Sequence, residues 1–252
     1  MAGHSRWANI RHKKEAQDRK RGKIFGKLFR EITVAARMGG GDPDYNPRLR
    51  AAIDNARAFN MPMENIERAI KKGTGELADE SASLQEVTYE GYGPGGVAIY
   101  VEAMTDNRNR TSSELRHLFS KHGGSLGEAG CVAWMFQRRG FIQIPKTAVS
   151  EDRLYEIALD LEAEDVRDEG DSWAIYTDVG DFWRVRGGLE RYQIPIQHAE
   201  LAMIPQNYIT PPVEEALKVM RLVETLEDHD DVQRVWTNME LTDEVLQRAT
   251  AA

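Results

Sequence analysis

The chain has 252 residues, 41% hydrophobic and 29% charged, with a net charge of −8, the balance of a globular protein large enough for two or three small domains. No apolar run approaches the roughly 18 residues that cross a bilayer. The opening residues lack the apolar core of a secretory signal, so a cytoplasmic protein with no membrane partner is expected.

The net charge is an average over two unlike parts. Met1 to Lys72 holds 17 Lys+Arg against 8 Asp+Glu, whereas the remaining 180 residues hold 16 against 33. Segregation of this kind points to nucleic acid or another polyanion as partner of the first part. The stretch HSRWANIRHKK, residues 4–14, opens it. Trp7 and Ile10 are expected to tuck this arm against a helical bundle, leaving Arg6, Arg11, Lys13 and Lys14 for phosphates. From Gln17 to Met38 the apolar residues Ile24, Phe25, Leu28, Phe29, Ile32 and Ala36 recur at helical spacing. Lys13, Lys20, Lys23, Lys27, Arg30 and Arg37 fall on the opposite side, as an outward cationic stripe. GGGDPDYNP breaks the helix, and Asn46 followed by Pro47 opens a second one. MPMENIERAIKKG gives a third, with Gly73 as its stop. TGELADESAS is the best candidate boundary.

Beyond it the period changes. LQEVTYEGYG and GVAIYVEAMT read as two strands, and a helix follows with Thr111 as its cap. CVAWMF and GFIQI read as two further strands. A second, similar unit follows: a helix from Glu151, strands at DVRDEG and SWAIYTD, a helix near Asp181 to Arg191 and a strand at HAELAMIP. A last helix opened by Pro212 and a last strand complete the chain. The fold class is α+β: a basic three-helix bundle and two small α/β units with antiparallel sheets.

GYGPGG satisfies G-x-G-x-x-G literally, but a strand follows it and no helix N-terminus faces a phosphate, so it is a hairpin turn. The histidines lack metal-ligand spacing and the single cysteine, Cys131, sits in an apolar run, so neither a metal nor a cofactor is expected. No nucleophile elbow or matched acid–base pair appears, and no small-molecule substrate or catalytic residue is inferred. Acidic runs such as LEDHDD read as solvated faces. In TDNRNRT, Arg108 and Arg110 precede a helix N-terminus, a place that favours an anion. They join the basic residues above as candidate phosphate contacts.

AGHSRWANIRHKK, QDRKRGKIFGKLFREITVAAR, GGGDPDYNPRLRAAI, NMPMENIERAIKKG, YEGYGPGGVAIYVE, TDNRNRT and FSKHGGSLGEAGCVAWMF together resemble the YebC/PmpR family, which includes a mitochondrial translational activator. The resemblance is dense to about Phe136 and looser beyond; DVGDFWRVRGGLERYQ departs from the usual pattern. It implies three domains with the third inserted into the second: 1–75, 76–137 with 208–241, and 138–207, followed by a tail at 242–252. It also implies a DNA-binding transcriptional regulator. The alternative is a ribosome-associated factor that binds ribosomal RNA and eases synthesis of proline-rich stretches. Charge alone does not separate the two, because both polymers present phosphates. An enzyme with a site between its domains is the less favoured alternative.

Overall fold

The computed structural model describes residues 4–10, 21–77 and 84–250. Residues 4–10 are helical (α1). The bundle follows as α2 (Arg21–Gly39), α3 (Pro47–Ala58) and α4 (Met63–Thr74). Leu28, Ile32, Ala36, Leu49, Ile53 and Ile66 interlock at its centre. Asn46 organises the first turn between helices. Its side-chain oxygen accepts from the Leu49 N–H at 3.1 Å, capping α3, while its amide nitrogen donates to Ala35 and Gly40 carbonyls at 2.8 Å, closing α2. One buried asparagine thus satisfies orphan groups at two helix ends.

The remaining elements are β1 (Gln85–Tyr92), β2 (Ala98–Thr105), α5 (Arg108–Lys121), β3 (Ser125–Leu126), β4 (Phe136–Pro145), α6 (Glu151–Asp160), β5 (Asp165–Asp168), β6 (Ser172–Thr177), α7 (Phe182–Arg191), β7 (His198–Pro205), α8 (Val213–Glu227), β8 (Val232–Thr237) and α9 (Asp243–Thr250). They build two antiparallel four-stranded sheets, ordered β3-β1-β2-β8 and β5-β6-β4-β7. The chain leaves the first sheet after β3, completes the second, and returns through α8 to lay β8 beside β2. GYGPGG is the β1–β2 turn, with Gly95 and Gly96 at φ +69° and +73°, where a β-carbon is strained.

Strand alternation gives each sheet two buried faces. On one face Ile99, Val101, Leu115, Phe119, Val219 and Leu222 join the first sheet to α5 and α8. Ile142, Ile144, Leu154, Trp173 and Phe182 do the same for the second sheet with α6 and α7. The other faces meet each other through Ala98, Trp236, Phe141, Ala174, Tyr176 and Ala202.

Several local expectations are corrected. CVAWMF is not a strand: Ala133–Met135 form a 3-10 turn, and a single strand begins at Phe136. The preceding loop is shaped by Glu90, 4% exposed, whose carboxylate accepts the N–H groups of Gly130, Val132 and Ala133 at 2.7–2.8 Å. Cys131 is half-buried, and burial pushes its thiol up, the opposite of an activated nucleophile. Gly73 does not stop α4. It lies inside the helix, where a β-carbon would come 2.4 Å from the Thr33 carbonyl oxygen; Gly75, at φ +81°, is the cap. Residues 243–250, expected as a tail, form α9, and Val245 joins the first core because its side chain is apolar and faces α8.

Candidate nucleic-acid interface

Of the candidate cations, Arg11, Lys13, Lys14 and Lys20 lie outside the described residues. Arg6 belongs to α1, which does not rest on the bundle as expected. It sits in the seam between the sheets: Ala8 is buried with Phe141 and Trp236, while Trp7 and Ile10 pack on the first core. The Trp7 indole N–H donates to the Met239 carbonyl at 3.0 Å. Arg6 donates to the Leu241 carbonyl at 2.6 Å and pairs with Asp243 at 2.9 Å. The seam offers apolar surface from two sheets at once, which the small bundle core does not.

The α2 stripe is also placed differently from its expected outward aim. Lys23 Nζ donates to the Asp228 carbonyl at 3.1 Å and lies 3.9 Å from the Asp230 carboxylate. Lys27 donates to the Glu227 carbonyl and Arg30 to the Asp230 carbonyl, with the Arg30 guanidinium 3.7 Å from Asp231. Helix α8 ends in this acidic run and has no basic residue in its own last turn. Its C-terminal carbonyls carry the negative end of the helix dipole. Cations from a helix two hundred residues earlier supply what α8 lacks. LEDHDD is therefore a solvated face only in part: Asp230 is exposed, but Asp231 is 5% exposed.

Between the two walls lies a cleft of about 1010 Å³. Lys23, Arg30 and Lys72 line it from the bundle, and Asp106, Glu114 and Asp228 to Asp231 from the first sheet. The Phe29 ring lies beneath the cations of Arg68 and Lys72, 5.4 and 5.9 Å from its centre. Arg37 donates to the Leu84 carbonyl at 2.6 Å. Arg48, which sequence reasoning missed, bridges Glu31 at 3.0 Å and Glu86 at 2.5 Å, tying the bundle to β1. Burial opposes its charge, but the two carboxylates outweigh that and raise its pKa. Nothing in the spacing of Arg48 announced a partner 38 residues away.

Arg108 and Arg110 stand inside α5, not before it, because Asn107 is the cap and accepts from the Arg110 N–H at 3.1 Å. Arg108 is exposed. Arg110 is held by Asp106 and Asp231, each at 2.9 Å. Thr111, expected as the cap, is buried and donates to the Asp231 carboxylate at 2.8 Å. Burial pushes the Asp231 carboxyl up, but Arg110 and Thr111 outweigh it and hold it below the ordinary carboxylate value.

Among the described residues, Glu114, His229 and Asp231 bring possible metal-ligand atoms within 4.8 Å of one another. Their lone pairs are already committed. His229 Nδ1 accepts from the Asp231 N–H at 3.1 Å, so Nε2 carries the proton shared with Glu114 at 2.8 Å. The Asp231 carboxylate is taken by two arginines and a hydroxyl. A cation there would face guanidinium groups in place of open oxygens. No described helix is long and apolar enough to cross a membrane.

Two family models match: the TACO1/YebC protein N-terminal domain over residues 5–76, and the TACO1/YebC second and third domain over residues 84–239. A "probable transcriptional regulatory protein" of Chlorobaculum parvum is 55% identical over 247 residues, 98% of each chain. Another so named, from Carboxydothermus hydrogenoformans, is 55% identical and covers 96% of this chain and 100% of its own. A crystal structure of a conserved hypothetical protein from Aquifex aeolicus superposes with a TM-score of 0.81 at 51% identity, over 91% of this chain and 94% of that one. With both models and full-length relatives in agreement, the chain belongs to the TACO1/YebC family.

Proposed function

We propose that this protein is a non-enzymatic nucleic-acid-binding regulator of gene expression, acting on DNA in transcription, and that the basic N-terminal part grips phosphates. One observation carries the reading: 17 Lys+Arg against 8 Asp+Glu in residues 1–72 of an otherwise acidic chain. Phosphate contacts made by such a surface release counterions and give affinity with little sequence preference. The names of the relatives, probable transcriptional regulatory proteins, support the regulatory role. Among the described residues no helix presents Asn, Gln and Arg together as a face for reading base edges, which favours backbone contact.

The test is charge reversal within the basic N-terminal part. Arg11→Glu, Lys13→Glu, Lys14→Glu and Lys20→Glu together should abolish binding to a mixed-sequence DNA duplex with an unchanged circular dichroism spectrum. Wild-type affinity should fall steeply with salt. Affinity that survives the reversal overturns the assigned footprint. Crosslinking in growing cells, followed by sequencing of the bound strand, separates the polymers. Promoter DNA supports the transcriptional reading, and ribosomal RNA replaces it with a translational one.

A further inference from the structure

We infer that the acidic end of α8 is an intramolecular stand-in for nucleic-acid phosphate, and that the bundle must release it before the α2 face binds a polyanion. The inference rests on the function proposed above and adds its regulation. Three observations carry it. Three cations of α2, Lys23, Lys27 and Arg30, donate to three carbonyl oxygens at one helix end, Asp228, Glu227 and Asp230. That helix end repeats the chemistry of a phosphate run: oxygen acceptors closely spaced, backed by formal charge from Asp230 and Asp231. The contact is also reversible in kind. Lys23 is 46% exposed and Asp230 69% exposed, so their attraction is screened by salt and weak enough to exchange.

The two bound states exclude one another, because the same N–H donors serve carbonyls or phosphates. An exposed ion pair contributes little, whereas a duplex offers many phosphates in register. A polyanion therefore displaces the acidic helix end, while an isolated anion, offering one contact against several, does not. Closed, the protein hides part of its basic face within an acidic molecule. That limits non-specific attachment to nucleic acid.

A zero-length carbodiimide reads the contact in the intact chain. It activates the Asp230 carboxylate, and the Lys23 amine then attacks to form an amide with release of the urea. Peptide mapping of the free protein should give the Lys23–Asp230 amide; saturation with a DNA or RNA duplex should suppress it. Chain already joined at this point should bind the duplex less well. In parallel, D228N/D230N, which removes the Lys23–Asp230 ion pair and a second negative charge from the same helix end, should bind roughly threefold tighter than wild type. The control E151Q/D152N removes the same charge from the exposed first turn of α6 and should leave affinity unchanged.

Equal gains in both variants, or an amide formed as readily with duplex bound, overturn the latch and leave the proposed function standing. Failure of wild type and both variants to bind either duplex at low salt removes the function and the latch together.

Discussion

At the scale of single residues, two buried carboxylates fix loops: Glu90 from a segment that reads as an ordinary strand, and Asp231 from one that reads as a solvated acidic run. Glu90 satisfies three backbone N–H groups. Glu90→Ala leaves those donors unpaired and should lower unfolding free energy by about 3 kcal/mol, measured by denaturant titration; Glu90→Gln, which keeps one acceptor oxygen, should cost less. Asp231 faces Arg110, Arg30 and Thr111. Its folded-state pKa is depressed, so its contribution to stability is present above the unfolded value of about 3.9 and is lost as pH falls through the folded value. Asp231→Asn should therefore flatten the acid limb of the stability profile and leave the neutral-pH slope unchanged. A wild-type acid limb on the variant would show that other carboxylates set it. Neither residue could be singled out from the sequence, because burial and partner are decided by segments 40 and 120 residues away.

At the scale of elements, periodicity was informative and aim was not. The apolar spacing of α2, the Asn46–Pro47 start of α3 and the glycine turn between β1 and β2 are all local, and the residues specify them directly. Thr111, expected as the α5 cap, lies four residues past the observed one: Asn107 caps the helix, and Thr111 is drawn inside it to the buried Asp231 carboxylate. Two glycines on facing bundle helices separate packing from propensity. Gly26→Ala meets nothing within 4 Å and should stabilise by about 0.5–1 kcal/mol, the helix preference for alanine. Gly73→Ala gains the same preference, but its β-carbon meets the Thr33 carbonyl oxygen and Ala36. The net change should be a loss of about 1 kcal/mol or more, because backbone cannot step aside. A Tm rise in Gly73→Ala would mean that α2 and α4 slide apart at little cost. Trp7→Ala removes a ring packed on the first core and its bond to Met239, and should cost about 2 kcal/mol or more.

At the scale of the whole molecule, the uneven charge was legible in composition, and the α+β class followed from the change of period after residue 84. The direction in which the α2 stripe points was not legible. A helical wheel ranks residues by angle about one axis and is blind to what stands across the cleft, here the end of α8. The same blindness put all of LEDHDD in solvent and α1 on the bundle. The inserted arrangement also sets an order of events. While residues are being added between β3 and β8, β2 keeps an unpaired edge, and the seam that receives α1 lacks the Met239 and Leu241 carbonyls that anchor Trp7 and Arg6. A nascent chain stalled before residue 232 should therefore leave Trp7 quenchable in solvent and its amides fast to exchange, and release past residue 241 should protect both. A segment synthesised early is among the last to find its place.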